Sequence, residues 1–332
     1  MRTARIIGNE DSYYHCMSRI IQGQMLLNDS EKERFRKIVR AVADFSGVEV
    51  MTYALMTNHL HLLLLVPEKC EIEEKEVMRR INGLYGRVRA AGVAMELRNL
   101  RANDHNEEAT ELLAKYTYRM NDLSQFMKMV MQRFTQSYNK RHSRRGHLWE
   151  QRFKSILVEG KPDAISTMAA YIDLNPVRAG IVKDPKSYRF CGYGESVAGN
   201  IVARRGIKLI CQILGRDGNW TSNGSVYRKC LFMHAGTHAN KGYAINRDKI
   251  REVLEAGGKL SKSELLHCKV RYLSDGVVLG GKAFVEDIFQ KHRGEFGIKR
   301  KTGARKPRFG QWDNLCTMRD LRLKPVALSS PL

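Results

Sequence analysis

Two apolar segments that are only three residues apart constrain the fold of this 332-residue chain most strongly. Residues 48–55 and 59–66 are rich in Val, Leu and Tyr, and Met-Thr-Asn stands between them. Residues of these types favour strands, and so short a connection joins antiparallel neighbours. Pro67 ends the second segment because proline cannot donate to a sheet ladder. The sequence therefore predicts a tight pair of strands.

Other local patterns predict further strands and helices around this pair. Residues 30–45 carry apolar side chains at helical spacing, and Ser30 with Glu33 is typical of a capping box. Helices are also predicted over 121–140 and 163–174, and strands over 13–21 and 146–160. The Asn175-Pro176 step ends the helix that precedes it, since the residue before proline avoids helical geometry.

Two changes of pattern divide the chain into three predicted regions. Residues 1–198 form one domain, with charged helices inserted at about 70–120. Residues 199–298 show helical patterns alone, which predicts a mostly α-helical C-terminal region. Residues 299–332 are a basic tail, in which KRKTGARKPR (299–308) is expected to be an exposed arm. The C-terminal helices are predicted at 207–214, 226–234, 247–254, 261–266 and 282–292.

The charge balance is the most unusual feature of the composition. There are 57 Lys and Arg residues against 35 Asp and Glu residues, a net charge of +22. Such an excess favours a polyanionic partner, with nucleic acid as the first candidate and anionic lipid as the second. A generally basic protein without such a partner is the plain alternative.

The same composition excludes several classes of protein. The longest apolar run, residues 62–66, is far shorter than the ~20 residues of a membrane-spanning helix. The seven cysteines are odd in number and form no CxxC pair, which argues against a disulfide scaffold. We expect a cytoplasmic, nucleoid-associated protein without a membrane partner.

The Asn58-His59-Leu60-His61 segment is the sharpest candidate for chemistry. Side chains alternate along a strand, so His59 and His61 are expected to point to the same face. Two imidazoles on one rigid face make half of a metal site. The alternative is that both are ordinary buried or exposed histidines.

A second candidate lies at the end of the helix over 163–174. Tyr171 and Asn175 are four residues apart and are expected to share one helix face. The Asn175 amide oxygen would be a third ligand beside two imidazoles, a set that suits Mg²⁺ or Mn²⁺, with Zn²⁺ also allowed. The alternative is a core tyrosine followed by a helix-capping asparagine.

A third candidate is a basic and aromatic stretch that is expected to contact DNA. Cationic side chains hold phosphates, and an aromatic ring can stack on an unpaired base. An exposed turn with a buried tryptophan is the alternative. The predicted DNA-contacting residues are Lys140, Arg141, Arg144, Arg145, Trp149, Arg152 and Lys154.

Three separated motifs resemble one known family. They are ALMTNHLHLLLLVPE (54–68), GHLWEQRFKSILVE (146–159) and YIDLNPVRAGIV (171–182). In this order they resemble the single-tyrosine HUH transposases, most of all the REP-associated branch and its insertion-sequence relatives. The resemblance covers about residues 10–195 and does not include the C-terminal third.

The resemblance implies an α+β fold with a central antiparallel sheet and packed helices. It implies that His59, His61 and Asn175 bind a divalent metal, Mg²⁺ or Mn²⁺, and that Tyr171 is the nucleophile. The implied activity is cleavage and rejoining of single-stranded or hairpin DNA through a 5′-phosphotyrosine, with a homodimer allowed. Two alternatives stay open at this point: a nucleic-acid-binding protein without catalysis, and a metal-dependent nuclease in which water attacks.

Overall fold

The structure is a computed structural model that describes residues 6–8, 10–232, 266, 270, 272–307 and 312–318. Its strands are β1 (Ser12–Arg19), β2 (Glu49–Leu55), β3 (His59–Val66), β4 (Lys154–Val158), β5 (Val278–Gly281), β6 (Ala304–Arg305) and β7 (Leu315–Met318). Its helices are α1 (Asp29–Ser46), α2 (Glu74–Tyr85), α3 (Arg87–Ala102), α4 (Asn106–Thr117), α5 (Leu123–Arg141), α6 (Pro162–Asp173), α7 (Asn175–Arg178), α8 (Gly192–Val197), α9 (Ile201–Ile213), α10 (Trp220–Phe232), α11 (Tyr272–Asp275) and α12 (Lys282–Lys291).

The described strands form one sheet in the order β2-β3-β1-β4-β5-β7-β6. The three pairings among the first four strands in this order are antiparallel, which confirms the predicted α+β fold with a central antiparallel sheet. β5 is parallel to β4, so the sheet as a whole is mixed.

The predicted strand pair is the hairpin of β2 and β3. Leu55 lies opposite Leu60, and the Met56 N–H donates to the His59 carbonyl at 2.8 Å, which closes the turn. β1 then pairs with the other edge of β3 and becomes the centre of the N-terminal half of the sheet. A strand flanked on both sides is a rigid platform for side chains.

The cap predicted for α1 is wrong by two residues. Asn28 is the N-cap, and its side-chain oxygen accepts from the Glu31 N–H at 2.9 Å. Ser30 lies inside the first turn instead. Both residue types favour the cap position, and in the structure the Asn28 side chain makes the capping bond.

The charged helices predicted within residues 70–120 are α2, α3 and α4. The strand predicted over 146–160 is present only as β4, and the residues before it are irregular apart from a single bridge between Ile20 and Trp149.

The C-terminal part differs from the prediction of helices alone. α9, α10 and α12 match three predicted helices, but β5, β6 and β7 also lie here and extend the sheet. The helix predicted at 247–254 and most of that at 261–266 lie outside the described residues.

The predicted exposed arm is partly built into the sheet. Ala304 lies opposite Met318 in the β6–β7 pair, and Gly303 is buried. Lys299 and Lys301 are exposed, as predicted for the basic residues of this segment. The domain boundaries at 198 and 298 stay predictions.

In the part of the chain that is described, no helix has the length and apolar character that crossing a bilayer requires.

Candidate active site

The two histidines of β3 lie on the same face of the sheet, because they are two residues apart in a strand. Their ring centroids are 5.2 Å apart, and the ring planes are nearly perpendicular. His61 is buried, whereas His59 at the start of the strand is half-buried. The pair therefore reaches from the interior toward the end at which β3 begins.

A third histidine, His15 on β1, completes this group, although no sequence motif singled it out. Met17 lies directly opposite His61, so His15 is its diagonal neighbour on the same face. The His15 Nε2 and His61 Nδ1 atoms are 2.8 Å apart. Strand alternation alone could place His15 on a face, but only the β1–β3 register brings it to His61.

His15 is fully buried, and its environment keeps it neutral. Burial lowers the pKa of His15 to about 3, helped by the nearby Arg178 charge and opposed by a hydrogen bond to the Leu273 carbonyl. A neutral imidazole carries one proton, so only one of its nitrogens donates.

Tyr171 lies on α6 and packs against the buried histidines. Its ring meets His15 edge-on at a centroid distance of 6.0 Å and His61 at 6.1 Å. α6 crosses β2, β3, β4 and β5, which carries the tyrosine to this part of the sheet. The structure thus brings together Tyr171 and His61, two residues that are 110 positions apart in sequence.

Arg178 also packs against the Tyr171 ring. Its guanidinium carbon lies 4.0 Å from the centroid of the Tyr171 ring, within the range of a cation–π contact. It also donates to the Tyr171 carbonyl and, at 2.6 Å, to the Leu266 carbonyl. This arginine lies in the third sequence motif, but no local pattern in the sequence predicted a role for it.

The Tyr171 side chain is covered by the segment that leads into β5. Tyr171 is 3% exposed, and its hydroxyl is hydrogen-bonded with Ser274. Burial raises the pKa of Tyr171 above its usual value, while the Arg178 charge and the Ser274 hydrogen bond act in the opposite direction. In this arrangement the phenol is neutral and out of contact with solvent.

A buried carboxylate fixes the end of α6 that carries Tyr171. Asp173 accepts from Thr52 Oγ1 at 2.7 Å, from the Tyr227 hydroxyl and from the Tyr193 N–H at 3.0 Å. Burial raises the pKa of Asp173 to about 6, although these hydrogen bonds oppose the shift. One carboxyl group thus ties α6 to β2, α8 and α10.

Asn175 is not the cap of the preceding helix. α6 ends at Asp173, Leu174 is the cap residue, and buried Asn175 begins the short helix α7. Its backbone carbonyl accepts from the Ala179 N–H at 2.9 Å. The residue thus starts a turn that leads to Arg178.

The donor set here fits a divalent cation only as an incomplete protein site. No group of three or more His, Cys, Asp or Glu within the described residues has a metal-binding arrangement. His59 and His61 supply two imidazoles, and an amide oxygen such as that of Asn175 is a further donor type that Mg²⁺ and Mn²⁺ accept. The remaining ligands would come from substrate and water.

The predicted DNA-contacting residues differ in their exposure and in their partners within the protein. Four side chains are exposed to solvent: Lys140, Arg145, Arg152 and Lys154. Lys154 forms an ion pair with Asp275 at 2.7 Å, and the half-buried Arg144 reaches the His147 carbonyl. Arg141 is bound to Glu31, a nearly buried acid on α1.

The stacking role predicted for Trp149 is wrong. The Trp149 side chain is buried beside Phe35 and Phe134, with ring centroids about 6 Å away, and its indole N–H donates to Thr135 Oγ1 at 3.0 Å. An indole that is packed into the core in this way cannot stack on a base. The alternative of a turn with a buried tryptophan describes this residue.

Comparison with known proteins supports the resemblance over the N-terminal part. Residues 9–105 match the family model described as IS200-like transposase. The resemblance to this transposase family is confirmed for these residues. The matched segment includes His15, His59 and His61 and ends before Tyr171 and Asn175. A transposase-type function is supported on this ground.

Two further comparisons add little. A solved structure described as a REP-associated tyrosine transposase bound to a REP hairpin aligns with 60% of this chain and 87% of its own, at 14% identity and a TM-score of 0.40. A likeness at that level supports no conclusion about this chain. No curated protein matches the sequence.

Proposed function

We propose that this protein is a metal-dependent transposase that cleaves and rejoins single-stranded or hairpin DNA through Tyr171. The observation that carries the proposal is the edge-on contact of the Tyr171 ring with His61, at 6.1 Å between centroids. A tyrosine beside one of two neighbouring imidazoles on a rigid strand would join a nucleophile to a phosphate-activating site. One chain supplies all of these residues, so the proposed site needs none from a second copy.

His59, His61 and Asn175 are the residues proposed to hold Mg²⁺ or Mn²⁺. A divalent cation bound there would withdraw charge from the scissile phosphate and stabilise the transition state. A phenol with a pKa near 10 is a weak nucleophile by itself. The Arg178 guanidinium, 4.0 Å from the ring centroid, favours the phenolate over the phenol.

The proposed reaction is a transfer of the phosphoryl group from DNA to the protein. The Tyr171 oxygen forms a bond to phosphorus while the bond from phosphorus to the 3′ oxygen breaks. The phenol loses its proton, and the leaving oxygen ends as a 3′-OH. The product is a 5′-phosphotyrosine, and attack by a 3′-OH reverses the step without ATP.

The reaction requires that Tyr171 become accessible. Its hydroxyl is bonded with Ser274, and Asp275 next to it pairs with Lys154. We propose that α11 moves away when DNA binds, since a phosphate cannot approach the tyrosine otherwise. Phosphates near Lys154 would compete with Asp275 for the ammonium group, which links DNA binding to this opening.

A single incubation tests the proposed function. The full chain is mixed with end-labelled hairpin or single-stranded DNA and Mn²⁺, and the products are separated on a denaturing gel. We expect a covalent protein–DNA adduct and a shortened strand with a 3′-OH. Cleavage without an adduct would favour the nuclease in which water attacks. Binding without cleavage would favour a non-catalytic DNA-binding protein.

A further inference from the structure

The hydrogen-bond partners of His15, His59 and His61 determine which ring nitrogen of each carries the proton. His15 Nδ1 lies 2.9 Å from the Leu273 carbonyl oxygen, and His15 Nε2 lies 2.8 Å from His61 Nδ1. A carbonyl oxygen only accepts, so His15 Nδ1 must be the donor in the first bond.

The rest of the chain of bonds follows from this one. A neutral imidazole with its proton on Nδ1 has a lone pair on Nε2. His15 Nε2 therefore accepts, and His61 Nδ1 donates to it. His61 is then in the tautomer whose lone pair is on Nε2, the nitrogen that can bind a metal.

Asn58 imposes the same tautomer on His59 by an independent route. Its Nδ2 atom donates to the Gly23 carbonyl at 3.0 Å, which fixes the orientation of the amide. The Asn58 Oδ1 atom then faces His59 Nδ1 at 2.7 Å. An amide oxygen only accepts, so His59 Nδ1 carries the proton and its lone pair is on Nε2 as well.

We infer that His15 and Asn58 are positioning residues that hold His61 and His59 in the Nδ1–H tautomer, so that Nε2 of each histidine is the metal-binding atom. The inference rests on the proposed function only for the identity of the ligand. His15 and Asn58 orient the two imidazoles in the metal-free protein, because each is itself hydrogen-bonded to a backbone carbonyl, that of Leu273 or Gly23. Outer partners of this kind raise metal affinity by fixing ring orientation and tautomer.

Long-range ¹H–¹⁵N correlation spectra of the metal-free full chain test this assignment directly. The nitrogen shifts of a neutral imidazole distinguish the two tautomers. We expect the Nδ1–H form for both His59 and His61. A proton on Nε2 of His61 in the parent protein would overturn the inference, and this spectrum decides even where a variant fails to fold.

Substitutions at His15 and Asn58 provide the second readout, the affinity for Mn²⁺ measured by calorimetry. His15→Leu removes the acceptor, so His61 should become a mixture of tautomers and Mn²⁺ should bind about 10- to 100-fold more weakly. His15→Gln keeps an acceptor near the Nε2 position and should restore most of the affinity. Asn58→Ala should release His59 and leave the His61 tautomer unchanged.

Met17→Leu is the matched control, because Met17 lies on the same face of β1, directly opposite His61. It should change neither the tautomers nor the affinity. Parental Mn²⁺ affinity in His15→Leu would contradict the inference. A parent that shows the expected tautomers but forms no DNA adduct would contradict the proposed nucleophile and leave the positioning role intact.

Discussion

The Tyr171 side chain lies beside the histidines and is also shielded from solvent. His15 and His61 contact its ring from the face of the sheet, and the Arg178 guanidinium lies over the ring. The Tyr171 hydroxyl is hydrogen-bonded with Ser274. Burial raises the pKa of Tyr171 and so favours the protonated phenol. Access to the hydroxyl, rather than its distance from the histidines, is what the proposed reaction must change.

The first prediction concerns His59 and Asn175, two of the proposed metal ligands. His59→Ala should weaken Mn²⁺ binding by at least about tenfold, because it removes one of two imidazole ligands. Asn175→Ala should have a smaller effect, since water can replace one neutral oxygen. Calorimetric titration of the metal-free protein measures both. His147→Ala alters an exposed histidine elsewhere and serves as the control, and a loss of equal size there would refute the assignment.

At the scale of elements, the Asp173 carboxylate adds hydrogen bonds to the packing of α6 against the sheet. Asp173 accepts from groups on β2, α8 and α10, and none of these donors reaches water in its place. The helix that presents Tyr171 is thereby fixed to both the N-terminal sheet and the C-terminal helices.

Asp173→Ala should therefore destabilise the protein substantially. It leaves the Thr52 and Tyr227 hydroxyls and one N–H without their acceptor, at a cost on the order of 3 kcal/mol. Urea unfolding followed by circular dichroism measures the loss. Asp163→Ala, on the exposed first turn of the same helix, should cost far less. Comparable stability of the two variants would show that the carboxylate does not anchor α6.

Glu31 joins α1 to the end of α5 and gives a prediction about pH. Burial disfavours its charge, but hydrogen bonds and charges from Arg141 and His142 prevail and hold the Glu31 pKa below 4.5. The folded state then binds this proton less readily than the unfolded state. The stabilisation is complete above pH 4.5 and is lost as the pH falls through the folded pKa.

Glu31→Gln should cost on the order of 2 kcal/mol at pH 7, and the difference from the parent should shrink below pH 4.5. Unfolding in urea at several pH values measures this trend. Asp29→Asn, 82% exposed at the start of the same helix, is the control and should show little effect. A parent–variant difference that grows with acid would contradict a lowered Glu31 pKa in the folded state.

Local sequence patterns predicted the helices and strands that have strong periodicity. They failed where contacts between distant residues determine the secondary structure or the burial of a side chain. The hairpin of β2 and β3 and the shared face of His59 and His61 follow from alternation within one segment. β5 and β7 have four residues each and β6 has two, so pairing with a remote strand defines them rather than any pattern of their own. The burial of Trp149 depends on Phe35 and Phe134, which come from other elements.

At the scale of the molecule, β5, β6 and β7 join the strands of the N-terminal part in one sheet. β5 pairs with β4 just after α11, so the cover over Tyr171 is held by the sheet itself. Deleting residues from 299 onward would remove β6 and β7 and would test folding rather than DNA contact. Substitutions at exposed Lys299 and Lys301 are the appropriate probes of the basic tail.

The exposed cations between Lys140 and Arg152 should contribute to the salt dependence of DNA binding. Combined Lys140→Gln, Arg145→Gln and Arg152→Gln should flatten the plot of log affinity against log salt by about 0.7 for each lost phosphate contact on a single strand. Fluorescence anisotropy at several salt concentrations measures the slope. Arg141→Gln, whose parent side chain is bound to Glu31, should lower stability and leave the slope almost unchanged. Equal slopes for the triple variant and the parent would show that Lys140, Arg145 and Arg152 do not contact DNA phosphates.

The central claim is that Tyr171 forms the covalent bond to DNA, and mass spectrometry of the digested adduct tests it most directly. Tyr138 is the matched competitor, a buried tyrosine on α5 that stacks on His142 at 4.1 Å. We expect the nucleotide on the peptide that contains Tyr171, and no adduct from Tyr171→Phe, while Tyr138→Phe forms it as the parent does. A nucleotide on Tyr138, or an adduct that persists in Tyr171→Phe, would contradict the account.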